Sequence, residues 1–144
     1  MEGAIASASV RYLSPAWMDA ARRAIADSED LRVGTAGIRL TIEYVATGVP
    51  VATGAPGGTV CWHISIEDGR VELAEGGADR FDLRLSAAYD TAARIARGEL
   101  GAQRAFVEGR LRVGGDLSLL IHHHKALSTV DDALAGVRSE TTYA

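Results

Sequence analysis

Apolar and polar residues alternate over four short segments in the middle of the chain, and this pattern limits the fold more than any other feature. A period of two residues places apolar side chains on one face of a β-strand and polar ones on the other. The segments cover residues 38–44, 60–66, 70–76 and 81–85. Four such strands in sequence predict an antiparallel meander with one covered face.

Helical spacing flanks these strands on both sides. Ser14-Pro15 is a capping hydroxyl followed by proline, so it predicts a helix that starts there and fades near residues 27–30. After Ser86 the period becomes helical again over residues 87–100 and 102–109. The sequence therefore predicts helices that cover the apolar face of the sheet.

The last third predicts one more strand and a long final helix. Residues 110–113 alternate as a fifth strand, and Asp116 is placed to cap a helix over 117–127 whose amphipathic stripe runs on to Val137. A turn-rich stretch at 48–58 reads as a loop, and Asp68-Gly69 as a tight hairpin turn. We predict one α+β domain over residues 1–144, with its core at about 10–125 and a C-terminal helix and tail at 126–144.

Composition and charge exclude several classes of function. With 15 basic and 19 acidic residues the net charge is −4, which argues against a nucleic-acid partner. A single cysteine, Cys61, forms no intrachain disulfide and suits a reducing compartment. The start of the sequence lacks the pattern of a secretory signal, and no apolar run is long enough to span a membrane. The expected location is the cytoplasm.

The glycine pair before Asp116 suggests a phosphate loop, but the sequence does not support one. A P-loop needs Lys-Ser/Thr after its glycines, whereas Asp116 places a carboxylate where phosphate would bind. A tight turn with a capping aspartate is the better interpretation.

Histidines and carboxylates offer no convincing metal or catalytic site. His122, His123 and His124 are consecutive, so on a helix they point in different directions and cannot converge on one ion. Cys61, His63 and Ser65 share the outer face of one strand, and the Asp131-Asp132 pair reads as a solvated helix face. We predict no metal, no cofactor and no catalytic residue.

Aliphatic side chains are the remaining feature, concentrated in "GELGAQRAFVEGRLRVGGDLSLLIHHHKAL" at residues 98–127. They are more numerous than one short helix needs to cover a strand. Spacing alone favours simple core filling, with a ligand pocket as the alternative.

The block "ARGELGAQRAFVEGRLRVGGDLSLL" resembles the signature of the sterol carrier protein 2 family. That signature has a glycine-rich helix end, a small residue with Phe, then glycine followed by alternating basic and aliphatic residues, and finally Gly-Asp. The matching residues here are Gly98, Ala105, Phe106, Gly109, Arg110, Leu111, Arg112, Val113, Gly115 and Asp116. The order of strands and helices upstream also fits, so the resemblance spans about residues 10–125.

The resemblance implies a five-stranded mixed, mostly antiparallel sheet with helices on one face and an apolar tunnel between. The implied function is binding and intracellular carriage of a fatty acid, fatty acyl-CoA or sterol-like lipid, or its presentation to a partner enzyme. An apolar ligand in such a tunnel would contact Phe81, Leu83, Leu100, Phe106, Leu111, Leu117, Leu120 and Ile121.

Two alternatives remain at this stage. The tunnel could serve an enzyme acting on a lipid-like intermediate, in which His63, Tyr44, Tyr89, Asp116 or the three consecutive histidines supply a proton. Alternatively, the aliphatic helix face could be an interaction surface without a ligand, including a homodimer seam along the last helix.

Overall fold

Strands and helices alternate along the computed structural model, which describes residues 10–50, 58–138 and 141–143. Most of the predicted loop, residues 51–57, lies outside these ranges. The elements are β1 (Val10–Arg11), α1 (Pro15–Asp27), α2 (Glu29–Gly34), β2 (Arg39–Thr47), β3 (Val60–Glu67), β4 (Arg70–Glu75), β5 (Leu83–Ala88), α3 (Tyr89–Ala96), α4 (Ala102–Val107), β6 (Leu111–Gly115), α5 (Leu117–His122), α6 (His124–Ala135) and β7 (Thr141–Thr142).

Strands β2 to β6 form one mixed sheet in the order β4-β3-β2-β5-β6. The α+β class and the five-stranded mixed sheet are thus confirmed. The meander holds for β2, β3 and β4, but it was wrong for the fourth strand, because β5 pairs with β2 in parallel. The alternation of apolar and polar residues predicts which face of the sheet a side chain occupies. It does not predict which strand lies alongside, because that depends on the path of the connecting segment.

Asp82 shows how β5 is held at the free edge of β2. Its backbone N–H donates to the Thr41 carbonyl at 2.9 Å, and its carboxylate accepts from the Thr41 amide at 2.8 Å. The chain therefore crosses the sheet after β4 and pairs on the far side of β2.

The hairpin turn between β3 and β4 has the predicted form. Asp68 and Gly69 both have positive φ, 49° and 85°, as the tight two-residue turn of a twisted hairpin requires. The Asp68 carboxylate also accepts from the Gly37 amide at 2.7 Å, which ties the turn to the start of β2.

Helix α1 begins as predicted, and Ser28 divides it from a second helix that the sequence did not predict. The Ser14 hydroxyl oxygen accepts from the Trp17 amide at 3.2 Å, while Ser28 caps α2 by accepting from Leu31 at 3.1 Å. The expected fading at 27–30 is therefore a short break between α1 and α2.

The predicted long final helix is interrupted at His123. Helix α5 ends at His122 and α6 begins at His124, with His123 at φ −109° and ψ 23°. Three consecutive histidines have weak intrinsic helix propensity, which favours a break at this place over one in the leucine-rich turns on either side.

All four tyrosines and both tryptophans form one chain of ring contacts, although aromatic residues are scarce. Tyr44 stacks on Trp62 with centroids 4.1 Å apart, and Trp62 meets Trp17 edge-to-face at 5.4 Å. The chain continues through Trp17 and Tyr12 to Tyr89 and Tyr143. It links the N-terminal segment, α1, the sheet and the C-terminal segment into one core.

Candidate functional site

One face of the sheet is apolar and lies under the helices, and its burial changes from one side to the other. On β2, β3 and β4, Leu40, Ile42, Ile64 and Leu73 are almost completely buried. Across β5 and β6 the same face carries Leu83, which is fully buried, and then Leu85, Leu111 and Val113, which are only half-buried. The helices thus seal one half of this face and leave the other half partly open.

The strand register places these half-buried side chains in a continuous row. Tyr44 on β2 pairs with Leu85 on β5, and Leu85 pairs with Val113 on β6. Helix α5 lies against β5 and α6, and it contributes half-buried Leu119 and Leu120. Leu127 of α6 is half-buried above the same core. We call this set (Tyr44, Leu85, Val113, Leu119, Leu120 and Leu127) the apolar layer.

The predicted ligand residues fall at different depths around this layer. Leu83 is fully buried between Ile42 and Gly115, and Leu100 is also buried, so both act as core. Leu111 and Leu120 are half-buried at the layer itself. Phe106, Leu117 and Ile121 are exposed, at 41%, 47% and 79% of their surface.

Phe81 lies apart from the other predicted ligand residues. The Arg84 guanidinium sits 4.5 Å from the centre of its ring. Arg84 alternates with Leu83 and Leu85 along β5, so it points to the sheet face without helices. Phe81 is therefore held on that side.

Asp131 is exposed, as the sequence predicted for the Asp131-Asp132 pair, yet it lies beside the apolar layer. It lies four residues after Leu127 and three before Leu134, on one stripe of α6. Burial raises the pKa of Tyr44, and the negative charge of Asp131 adds to this rise. Water still reaches Asp131, yet crowding by protein atoms and the charge of Asp132 raise its own pKa to about 6. In the sequence, the spacing of four residues between Leu127 and Asp131 was the signal that both lie on the same stripe of the helix.

The turn at Gly114-Gly115-Asp116 is structural, as predicted. Gly115 has φ 92°, and a Cβ there would lie 2.2 Å from the Asp82 carbonyl oxygen, so this position requires glycine. The Asp116 carboxylate accepts from the amide and hydroxyl of Ser118 at 3.0 and 2.6 Å, and these bonds lower its pKa. The carboxylate is occupied in capping α5.

The polar cluster on the outer sheet face does not have the properties of a nucleophilic centre. Glu43 pairs with His63 across the strands, next to Cys61. Burial and the Glu43 charge raise the pKa of the Cys61 thiol, which disfavours the reactive thiolate. The His63 ring is engaged by the Gly76 carbonyl, 2.8 Å from Nδ1.

The three consecutive histidines separate at the helix break, where His122 and His123 make an edge-to-face ring contact at 4.7 Å. Within the described ranges, no group of three or more His, Cys, Asp or Glu is arranged to hold a metal ion. In the same ranges no helix is both long and apolar enough to cross a membrane.

Comparison with known proteins places this geometry in context. A family model described as the SCP-2 sterol transfer family matches residues 23–128. No curated protein matches the sequence.

Solved structures show the same fold. The crystal structure of a sterol carrier protein 2 aligns with a TM-score of 0.69 at 20% identity, covering 87% of this chain and 98% of that one. A possible sterol carrier protein from Thermus thermophilus gives the same score and identity over 89% and 90%. The palmitated SCP2L2 of Aedes aegypti aligns at 0.58 and 12% identity over 81% and 94%.

Proposed function

Because the chain belongs to the SCP-2 sterol transfer family, we propose that it binds an apolar small molecule in the space above β5 and β6. The ligand class is a fatty acid, fatty acyl-CoA or sterol-like lipid. The protein would carry this ligand within the cytoplasm or present it to a partner enzyme.

The burial gradient across the helix-covered face is the observation that supports this proposal. A layer that only fills a core would bury its side chains throughout, as Leu40, Ile42 and Ile64 are buried on β2 and β3. Over β5 and β6 the sheet is apolar but not fully covered. An acyl chain placed there would gain about 0.8 kcal/mol for each methylene group removed from water.

We propose that the ligand contacts the apolar layer, with Leu111, Phe106, Leu117 and Ile121 at its margin. Helix α4, which carries Phe106, lies against β6, and α5 carries Leu117 and Ile121. An apolar tunnel between sheet and helices remains a prediction. Because Phe81 packs under Arg84 on the other side of the sheet, it is not part of this proposal.

A charged substitution at Phe106 tests the proposal. Phe106 is 41% exposed, so Phe106→Asp should fold while placing a carboxylate beside the ligand. We expect the Kd of a fluorescent fatty acid, measured by titration, to rise at least about tenfold, since a desolvated charge costs more than about 1.4 kcal/mol.

Val33→Asp provides the matched control, because Val33 is also exposed, at 67%, but lies on α2. This variant should bind the fatty acid like the parent protein. Unchanged binding by folded Phe106→Asp, or equal weakening by both variants, contradicts the proposed site. Mass spectrometry of an organic extract of the purified protein would then identify any ligand that it carries.

A further inference from the structure

A cavity that shares no residue with the apolar layer lies beside helix α3 and is open to solvent. It has a volume of about 560 Å³ and lies between three parts of the chain: α3 and its flanking residues, the turn before β6, and the residue after β7. Its walls are Ala88, Tyr89, Asp90, Thr91, Ala93, Arg94, Arg97, Arg110 and Tyr143. We call it the arginine cavity.

The arginine cavity is positively charged in a protein whose net charge is −4. Arg94, Arg97 and Arg110 line it, against one carboxylate, Asp90. Arg94 and Arg97 lie three residues apart on α3, on the helix face that carries Asp90. Arg110 comes from a different segment, the turn before β6, so arginines from two parts of the chain line the space.

Two further arginines add to the positive potential. The charge of Arg11 acts on the Tyr89 hydroxyl, and the charge of Arg138 acts on the Tyr143 hydroxyl. Arg138 donates from Nε to the Ala96 carbonyl at 2.8 Å, at the C-terminal end of α3. Both cations therefore lie next to the cavity walls.

The lining arginines are incompletely paired. Arg94 forms no ion pair with a carboxylate among the residues that the structure describes. Arg97 Nε lies 3.3 Å from a Glu99 carboxylate oxygen but is buried without a hydrogen-bond acceptor in the described structure. Arg110 is 3.5 Å from Glu108, which also binds Arg104 at 3.1 Å. Donors are therefore left over for a ligand.

The other walls fit an anion with several oxygen atoms. The N-cap residue of α3 is Ala88, which has no side-chain acceptor to cap the helix, and the first residues of the helix line the cavity. The Tyr89 hydroxyl donates to the Tyr143 carbonyl at 3.2 Å and holds two walls together. Guanidinium groups match the oxygen geometry of phosphate well.

We propose that the arginine cavity binds a phosphate or phosphomonoester anion. A neutral or apolar occupant would leave Arg94 without an ionic partner. A single carboxylate would fill little of the volume and use few of the donors. The proposal does not depend on the proposed function, since the two sites share no residues.

Binding of inorganic phosphate tests the proposal directly. We expect phosphate, titrated at constant ionic strength, to shift the NMR signals of the Asp90 and Thr91 amides in the parent protein. Arg94→Gln should weaken this binding by at least about tenfold, because it removes a charge-assisted hydrogen bond to the anion. Arg110→Gln, in the turn before β6, should have a similar effect.

Arg112→Gln is the matched control. Arg112 lies two residues from Arg110 but is exposed and pairs with Ser86, on the sheet face away from the helices. This variant should bind phosphate as the parent protein does. If it weakens binding as much as Arg94→Gln, the effect is general surface charge and the proposal is overturned.

A parallel titration with decyl phosphate, kept below its micelle concentration, identifies the source of the anion. Binding of both compounds with the same loss in Arg94→Gln supports a site for free phosphate. Arginine-dependent binding of decyl phosphate alone supports a site for the head group of an amphiphile. If neither compound shifts the Asp90 and Thr91 signals, no anion site exists here.

Discussion

Glu43 is the one buried charged residue among those that the structure describes, and it lies on the sheet face that the helices do not cover. Its carboxylate accepts from the Arg84 Nε at 2.6 Å and from the Ala78 amide at 2.8 Å. It therefore connects β2 with β5 and with the crossing segment after β4. Only 3% of the Glu43 side chain is exposed, whereas 46% of Arg84 is.

Replacing Glu43 should destabilise the protein even though the site is on a polar face. Glu43→Ala leaves the Ala78 amide without its acceptor and removes the partner of Arg84. We expect a loss of about 1–3 kcal/mol in the free energy of unfolding, measured by urea denaturation. Glu72→Ala is the control, since its ion pair with Arg70 is exposed. Equal losses in both variants would show that the burial of Glu43 is unimportant.

Helix α6 carries an acidic residue, Asp131, next to a leucine of the apolar layer, Leu127. Leu127, Asp131 and Leu134 follow one another along one stripe of this helix, where the two leucines are half-buried and Asp131 still meets water. Burial, with a smaller contribution from Asp132, raises the pKa of Asp131 from 3.8 to about 6. The folded protein thus holds a proton on Asp131 more tightly than the unfolded chain does.

This shift predicts a specific pH dependence of stability. Because the folded pKa lies above the unfolded one, the contribution of Asp131 is most favourable below pH 3.8 and is lost as the pH rises through about 6. Asp131→Asn removes this contribution. As the pH rises from 3.8 to about 6, we expect the variant to lose less stability than the parent protein. The measurement is the urea midpoint of unfolding at each pH. Parallel curves for the two proteins would mean that Asp131 titrates normally.

At the scale of the whole molecule, the protein has a closed half and an open half. Helices α1 and α2 lie against β4, and the sheet face under this half is buried. Over β5 and β6 the covering helix α5 has no buried residue. Local opening should therefore require the least free energy at α5.

Hydrogen exchange should distinguish the closed half from the open half by their exchange rates and should show which segments a ligand protects. We expect the amides of α5 to exchange faster than those of β3 in the free protein, followed by mass spectrometry. Adding a fatty acid should slow exchange in α5, α6 and β6 and leave β3 unchanged, because only the open half gains contacts. Uniform protection, or protection centred on β3, would argue against this location.

The fold class was predictable because the buried face of a strand or helix requires apolar residues at a regular spacing, and this spacing is visible in the sequence. Alternation placed Ile42, Ile64 and Leu83 on one face, and Ser14 marked the start of α1. The motif at residues 98–120 added the family and the mixed sheet. These are local patterns, and each can be read within one short segment of the chain.

The remaining features depended on contacts between distant segments. The parallel pairing of β5 with β2, the effect of the Asp131 charge on Tyr44 and the meeting of α3 with Tyr143 at one cavity each join segments far apart in sequence. Spacing says which face of an element a side chain occupies, whereas packing decides what lies opposite. The sequence by itself therefore determined the elements and their apolar faces, and only the tertiary structure decided which half of the sheet stays open, because incomplete coverage is a property of the assembled layers.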